Sequence, residues 1–250
     1  PYLKPEDILI YHMSIGSQLT YEIENYHCKK IMIYHNVTPA EFPAPYNPFT
    51  AEACRVGIEQ VKYLSDKFDY CLADSEFNKQ ELIRMGYTCK IDVLPILIPF
   101  DDYKKTPSKK VLRRFKDDYV NILFTGRIAA NKKQEDVIKT FYYYKKYINP
   151  KSRLFLVGSY YGMENYYHSL KAYAERLELE DVYFTGHISF ADILAYYQLA
   201  DIFLCMSEHE GFCVPLAEAM AFEIPIIAYD SSAICLLYTS DAADDLTRVD

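Results

Sequence analysis

Residues 120–157 read VNILFTGRIAANKKQEDVIKTFYYYKKYINPKSRLFLV. The short, largely apolar run Val120–Thr125 stops at Gly126. Gln134–Ile148 has helical character and ends near Pro150, and Arg153–Val157 is a second apolar run closed by Gly158. Runs this short and apolar suit strands covered on both faces, and the helix between them supplies the crossover that a parallel pair needs. The alternation continues downstream. Helices are predicted over Met163–Leu177, Phe190–Ala200 and Pro215–Phe222, and strands over Val182–Thr185, Ile202–Met206 and Ile224–Ala228. Five strands and four helices predict an α/β unit with a parallel sheet between helical layers.

Upstream the same pattern is weaker. Ile8–His12, Lys30–His35, Tyr70–Ala73 and Ile91–Leu94 read as strands. Ile15–Asn25 and Ala51–Lys67 read as helices, and the proline-rich residues 37–50 as a loop. Ser75 suits the N-cap of a helix over Glu76–Met85, with Gly86 as its stop. Residues 99–118 hold two prolines and the basic run Lys104, Lys105, Lys109, Lys110, Arg113 and Arg114. They read as an interdomain connection with a short helix, and the charges themselves as a solvated face.

Composition narrows the class. The 250 residues are 50% hydrophobic and 25% charged, which excludes a disordered, collagen-like or disulfide-stapled chain. No apolar run reaches the length of a membrane span. The net charge of -8 argues against a nucleic acid partner. Seven cysteines, an odd number with no C-x-x-C pair, read as reduced, cytosolic usage. The first residue is Pro, so the chain is read as a fragment from that point onward.

Open parallel sheets bind ligands outside the carboxyl ends of their strands, so chemistry is sought just after each run. Gly126-Arg127-Ile128-Ala129-Ala130-Asn131-Lys132-Lys133 places cations at such an edge. Arg and Lys there suit a diphosphate, although an ordinary solvated loop reads the same way. Ser207–Glu218 is more informative. Gly211 admits close approach of a ligand to the main chain, and Pro215 fits the first helical position. The amides near Phe212, Cys213 and Val214 then form a helix start suited to an anion. Glu210 precedes that helix and Glu218 lies in its first turn. Two carboxylates beside one anion site can grip sugar or ribose diols. Taken singly, Glu218 also reads as dipole complementation and Glu210 as a surface acid.

Glu210 and Glu218, with seven residues between them in EGFCVPLAEAMAFEIPIIA, resemble the E-x7-E signature of the GT4 family of retaining glycosyltransferases, also called glycosyl transferases group 1. FTGRIAANKKQEDVI resembles the family's diphosphate loop, and LFLVGS, VYFTGHIS and LAYYQLADIFLCMSE its successive strand ends. IMIYHNVTP and CLADSEFNKQEL resemble segments of its acceptor domain. The resemblance covers residues 8–234 and is most specific over 120–230.

The resemblance implies a GT-B fold, two Rossmann-like parallel-sheet domains facing a cleft, both incomplete here. Residues 1–104 would be the partial acceptor-side domain and 105–234 the donor-binding domain. It implies a metal-independent, retaining transfer from a UDP- or GDP-linked sugar, with no cofactor. Arg127 and Lys132 would neutralise the diphosphate. Glu210 would hold donor-sugar hydroxyls, and Glu218 the ribose. Gly126 and the backbone at Gly211, Phe212 and Cys213, with Val214 and Leu216, would complete the donor site. Main-chain groups of His187 and Ile188 would face the base, and His35 would reach the far hydroxyls of the sugar. His35 otherwise reads as a strand-end cap, and His12, His27, His168 and His209 as structural or surface residues. The acceptor would be a sugar, lipid or polysaccharide, in cytoplasmic cell-surface polymer or glycolipid synthesis with peripheral contact to the inner membrane face. The family's leading βα units with a Gly-rich loop and its closing helices have no counterpart in the 250 residues, so truncation at both ends is expected. CLLYTSDAADDLTRVD, residues 235–250, reads as translated adapter sequence that adds nothing to the core. The alternatives are a nucleotide-sugar binder without turnover, a purely structural α/β module, and another GT-B enzyme such as a sugar epimerase.

Overall fold

A computed structural model describes residues 3–234. It divides into two compact units. The first comprises residues 3–96 together with His209–Phe212 and 230–234; the second comprises Leu97–Glu208 and Cys213–Tyr229.

In the first unit four parallel strands stand in the order β1 (Ile8–Met13), β2 (Lys29–Tyr34), β3 (Tyr70–Ala73) and β4 (Lys90–Val93). Met13, Met32, Tyr34 and Cys71 fill the core with Val61, Leu64 and Leu82 from the covering segments. Helix α1 (Pro48–Tyr63) starts three residues before its predicted first residue, because the Asn47 side chain accepts from Thr50 N–H and a proline fits the opening turn. It buries Cys54, Gly57, Gln60 and Val61. The stretch expected as a helix over Ile15–Asn25 is instead a 3-10 helix over Gln18–Asn25. The buried Gln60 explains its start: its Oε1 accepts from Ser17 N and Thr20 Oγ1, and its Nε2 donates to the Ser17 carbonyl. Helix α2 (Glu76–Arg84) is capped by Ser75 as expected.

The second unit has the strand order β7-β6-β5-β8-β9, all parallel, with β5 (Val120–Thr125), β6 (Ser152–Val157), β7 (Val182–Gly186), β8 (Ile202–Cys205) and β9 (Ile226–Ala228). The connecting helices are α4 (Gln134–Tyr147), α5 (Glu164–Arg176), α6 (Phe190–Leu199) and α7 (Val214–Ala221), after the short α3 (Lys109–Arg114). Every residue of β6 is buried, as a doubly covered central strand requires. Strand order reverses between β5 and β8, so the connections leaving their carboxyl ends run to opposite sides of the sheet and leave a crevice.

The expected division after residue 104 moves to Ile96/Leu97. The 3-10 helix Phe100–Lys104 packs with the second unit, the Tyr103 ring meeting Phe190 and Phe222 edge-on. The proposed adapter tail, 235–250, lies outside the described residues. Among the described residues no helix is long and apolar enough to cross a membrane.

Candidate active site

Three glycines open the carboxyl edge of the second sheet. Gly126 follows β5, Gly158 follows β6 and Gly186 ends β7. A Cβ on Gly158 would lie 1.9 Å from the Gly126 carbonyl oxygen, so the two strand ends meet main chain to main chain. Gly186 has φ +67°, a left-handed conformation that glycine adopts without strain. Above these strand ends is a cavity of about 320 Å³. Gly126, Gly158, His187, Ile188, Val214 and Glu218 are among its lining residues. Gly126, His187, Ile188, Val214 and Glu218 are therefore brought to one pocket from three separate stretches of sequence. Leu216 is not in the lining: its side chain is fully buried and its amide donates to the Cys213 carbonyl.

Helix α7 begins at Val214, so Pro215 is its second residue and not its first. Cys213, in a left-handed conformation with φ +67°, is the N-cap, and its side chain makes no capping hydrogen bond to the first turn. A helix start that lacks a side-chain cap is suited to an external acceptor.

Glu218 has company that sequence reasoning missed. The Tyr103 hydroxyl donates to its Oε1 and the Tyr197 hydroxyl to its Oε2. Tyr197 also lies 2.6 Å from Thr125 Oγ1, and its ring stacks on Phe222 at 5.0 Å. Burial, reinforced by the Glu218 carboxylate, raises both phenols above their ordinary range, so they remain donors. A carboxylate has about four lone-pair sites, so two phenols leave room for a diol. Tyr197 falls within the predicted helix Phe190–Ala200, but nothing in the spacing linked it or Tyr103 to Glu218 across the intervening chain.

The loop after Gly126 separates its cations. Arg127 is exposed, and its Nη2 donates to the Tyr161 carbonyl at 3.2 Å. Its own carbonyl accepts from Gln134 Nε2 at 2.9 Å, which ties the loop to the first residue of α4. Lys132 ends the 3-10 turn Ala130–Lys132 and is half-buried. Lys133 is turned to carboxylates, 3.4 Å from both Glu135 and Glu208.

Glu210, Gly211 and Phe212 pack with the first unit. His209 Nε2 lies 2.5 Å from Asn36 Oδ1, and its ring sits near Phe42 and Phe77. Asn36 in turn donates to Asn78 and to Glu81, both at 3.0 Å. Burial raises the Glu81 carboxyl above its usual range, and Tyr34 donates to it at 2.6 Å. Gly211 is required here: a Cβ would fall 2.9 Å from the His35 carbonyl oxygen and from Asn36 Cβ. Glu210 is buried, not the surface acid of the local reading, and its amide donates to Ser232 Oγ at 2.8 Å.

His35 follows β2, with both ring nitrogens engaged: Nδ1 lies 2.8 Å from Asp74 Oδ2 and Nε2 lies 2.7 Å from His12 Nδ1. The Asp74 hydrogen bond raises the His35 imidazole above its ordinary value, against an opposing effect of burial. His12 is exposed but paired. His209, expected to be structural or at the surface, is structural.

A family model described as glycosyl transferases group 1 matches residues 105–241. The chain belongs to that family. Among curated family relatives, the alpha-monoglucosyldiacylglycerol synthase of Acholeplasma laidlawii is 30% identical over 191 residues, covering 71% of this chain and 42% of its own length. The synthase of the same name from Streptococcus pneumoniae is 27% identical, over 74% of this chain and 43% of its own. The chain thus spans less than half the length of these relatives. Sucrose-phosphate synthase from Thermosynechococcus elongatus superposes with a TM-score of 0.71 at 17% identity, over 93% of this chain and 57% of that one. Anabaena HepE, solved in complex with UDP-glucose, gives 0.67 at 19% identity, over 84% and 56%. The fold is the GT-B type, two parallel-sheet α/β domains.

Proposed function

We propose that the protein transfers a sugar from a UDP- or GDP-linked donor to an acceptor hydroxyl, with retention at the anomeric carbon. The observation that carries this reading is the cavity at the crevice of the second sheet, where strand-end glycines, the start of α7 and Glu218 adjoin one another. Glu218 would accept the ribose hydroxyls in place of, or beside, a tyrosine hydroxyl. Main-chain groups of His187 and Ile188 would face the base. The glycosidic centre passes through an oxocarbenium-like state as the nucleoside diphosphate departs. Arg127 and Lys132, with the amides that open α7, would stabilise the departing charge. In that role they supply what a divalent ion supplies elsewhere, so the reaction is proposed to run without one. Glu210 and the main chain at Gly211, Phe212 and Cys213 would hold the donor sugar, with His35 at its far hydroxyls. Since both His35 nitrogens are engaged, that contact would exchange one existing hydrogen bond.

The curated relatives bear names of glycolipid synthases, which favours a lipid acceptor at a membrane surface on the cytoplasmic side over a soluble sugar. The HepE complex makes UDP-glucose the first donor to try. The test is donor consumption with a diacylglycerol-type acceptor. Turnover that is lost in Glu210→Ala and in Lys132→Ala supports the reading. Wild-type rates in both variants refute the site. Saturable nucleotide binding with no turnover supports the alternative, a nucleotide-sugar binder.

A further inference from the structure

The basic run over residues 104–116, read from the sequence as a solvated face, sorts into two groups in the structure. Seven of these thirteen residues are Lys or Arg and none is acidic. Four of the seven have partners of their own. Lys104 pairs with Asp101 at 2.7 Å and Lys105 with Asp102 at 2.9 Å. The Arg114 guanidinium lies 4.9 Å from the Phe115 ring centroid and 5.8 Å from that of Tyr183. Lys110 adds, after the hydrogen bonds of Ser108 and Ser189, to what lowers the Asp192 carboxyl. The other three, Lys109, Arg113 and Lys116, form no ion pair among the described residues. The acids next along the chain are turned elsewhere, Asp117 to Arg153 and Asp118 to Lys151.

These three cations line one cavity of about 380 Å³ together with Leu112 and Leu199. Lys109, Leu112, Arg113 and Lys116 follow one another at i, i+3, i+4 and i+7, so they share one face of α3 and its continuation. Leu199, from the end of α6, supplies the facing apolar wall. Arg113 and Lys116 sit where a helix dipole favours cations, but Lys109 is in the first turn, where the dipole opposes one. Dipole complementation therefore does not account for the set. Three like charges around one hollow repel one another, and an anion between them turns that repulsion into attraction. The hollow is separate from the donor crevice. Phe190 and Ile193 line the crevice from the start of α6, and Leu199 lies about 13 Å beyond Phe190 along that helix. The Leu199 carbonyl accepts from Asn121 Nδ2 at 2.8 Å, at the start of β5, which places the hollow toward the amino edge of the sheet.

We propose that this hollow is a second ligand site, for an organic phosphate, with the phosphate among Lys109, Arg113 and Lys116 and an apolar substituent on Leu112 and Leu199. Arg113 offers a planar fork to two phosphate oxygens, and the lysines add point charges. The volume is in the range of small-molecule sites and leaves room for more than a bare phosphate. A soluble phosphate ester and a phosphatidate headgroup in a bilayer present the same chemistry. The site uses none of the residues given a role in sugar transfer, so it stands apart from the function proposed above.

Calorimetric titration of the full chain with n-butyl phosphate, inorganic phosphate and n-butanol tests the site. The expected result is saturable one-to-one binding of n-butyl phosphate, about tenfold tighter than inorganic phosphate through CH₂ groups buried on the leucines, and no binding of n-butanol. Arg113→Gln weakens n-butyl phosphate about tenfold, and the triple variant Lys109→Gln, Arg113→Gln, Lys116→Gln abolishes its binding. The three side chains are exposed, so the triple variant keeps the wild-type circular dichroism, and Lys104→Gln keeps the wild-type affinity. Sedimentation with phosphatidylcholine vesicles containing phosphatidate separates the two sources. Co-sedimentation that the triple variant loses assigns the bilayer headgroup, and n-butyl phosphate binding without co-sedimentation assigns the soluble ester. No saturable binding of n-butyl phosphate or of the vesicles, equal affinity in wild type and triple variant, or equal affinity for n-butyl and inorganic phosphate overturns the proposal. Displacement of n-butyl phosphate by UDP also overturns it, because the probe then occupies the donor crevice. A chain that binds n-butyl phosphate as described but not UDP or GDP loses the donor reading and keeps this one.

Discussion

Glu218 and Asp74 show how one carboxylate can be set for two different tasks. Glu218 accepts from two phenols held protonated by burial, so its lone pairs are already directed. If its task is the ribose, 2′-deoxy-UDP binds the wild type about tenfold more weakly than UDP, the value of one hydrogen bond to a charged group. In Glu218→Ala that difference vanishes; a difference that persists places the ribose elsewhere. Asp74 acts on His35, whose pKa is raised mainly by their hydrogen bond. A raised imidazole stabilises the fold fully below its unfolded value of about 6.5 and loses that contribution as pH climbs through the raised folded value. Thermal melts of Asp74→Asn against wild type therefore show the largest deficit near pH 5.5–6 and a smaller one at about pH 8.5. A deficit that grows with pH contradicts the pairing. The E-x7-E spacing and the cations after Gly126 were legible as residue types at strand ends. The partners were not: Tyr103 reaches Glu218, and His12 reaches His35, only through the sheet order, which no local pattern encodes.

Among the elements, β5 and β6 carry the site. Their ends approach so closely at Gly126 and Gly158 that Gly158→Ala should destabilise the second unit by about 3 kcal/mol, the scale of forced overpacking. Phe155, fully buried on β6, packs against Phe115, Tyr183 and Tyr196, and Phe155→Ala should cost about 3–5 kcal/mol. Denaturant titration measures both, and a change under about 0.5 kcal/mol in either contradicts the packing described. Val120–Thr125 and Tyr70–Ala73 keep their predicted bounds because apolar runs between polar breaks have one way to be strands. Ile15–Asn25 did not keep its predicted form, because buried Gln60, far along the chain, holds the backbone of Ser17. Periodicity sees the stretch and not its distant partner.

At the scale of the whole chain, each unit has its own sheet and core, and the family match lies mainly over the second. A ligand that binds only the folded second unit stabilises it by mass action, by about 2.7 kcal/mol when present at a hundred times its Kd, and so raises its melting temperature. UDP should show this shift, uridine much less, and salt should reduce the difference between them because the diphosphate contacts are ionic. The most direct test is calorimetric titration of UDP, with GDP as the second nucleotide, into the wild type and into Arg127→Ala and Lys132→Ala. The account predicts saturable one-to-one binding of one of the two nucleotides, weakened about tenfold or more in each variant. No saturable binding of either nucleotide, or equal affinity in wild type and both variants, would contradict it.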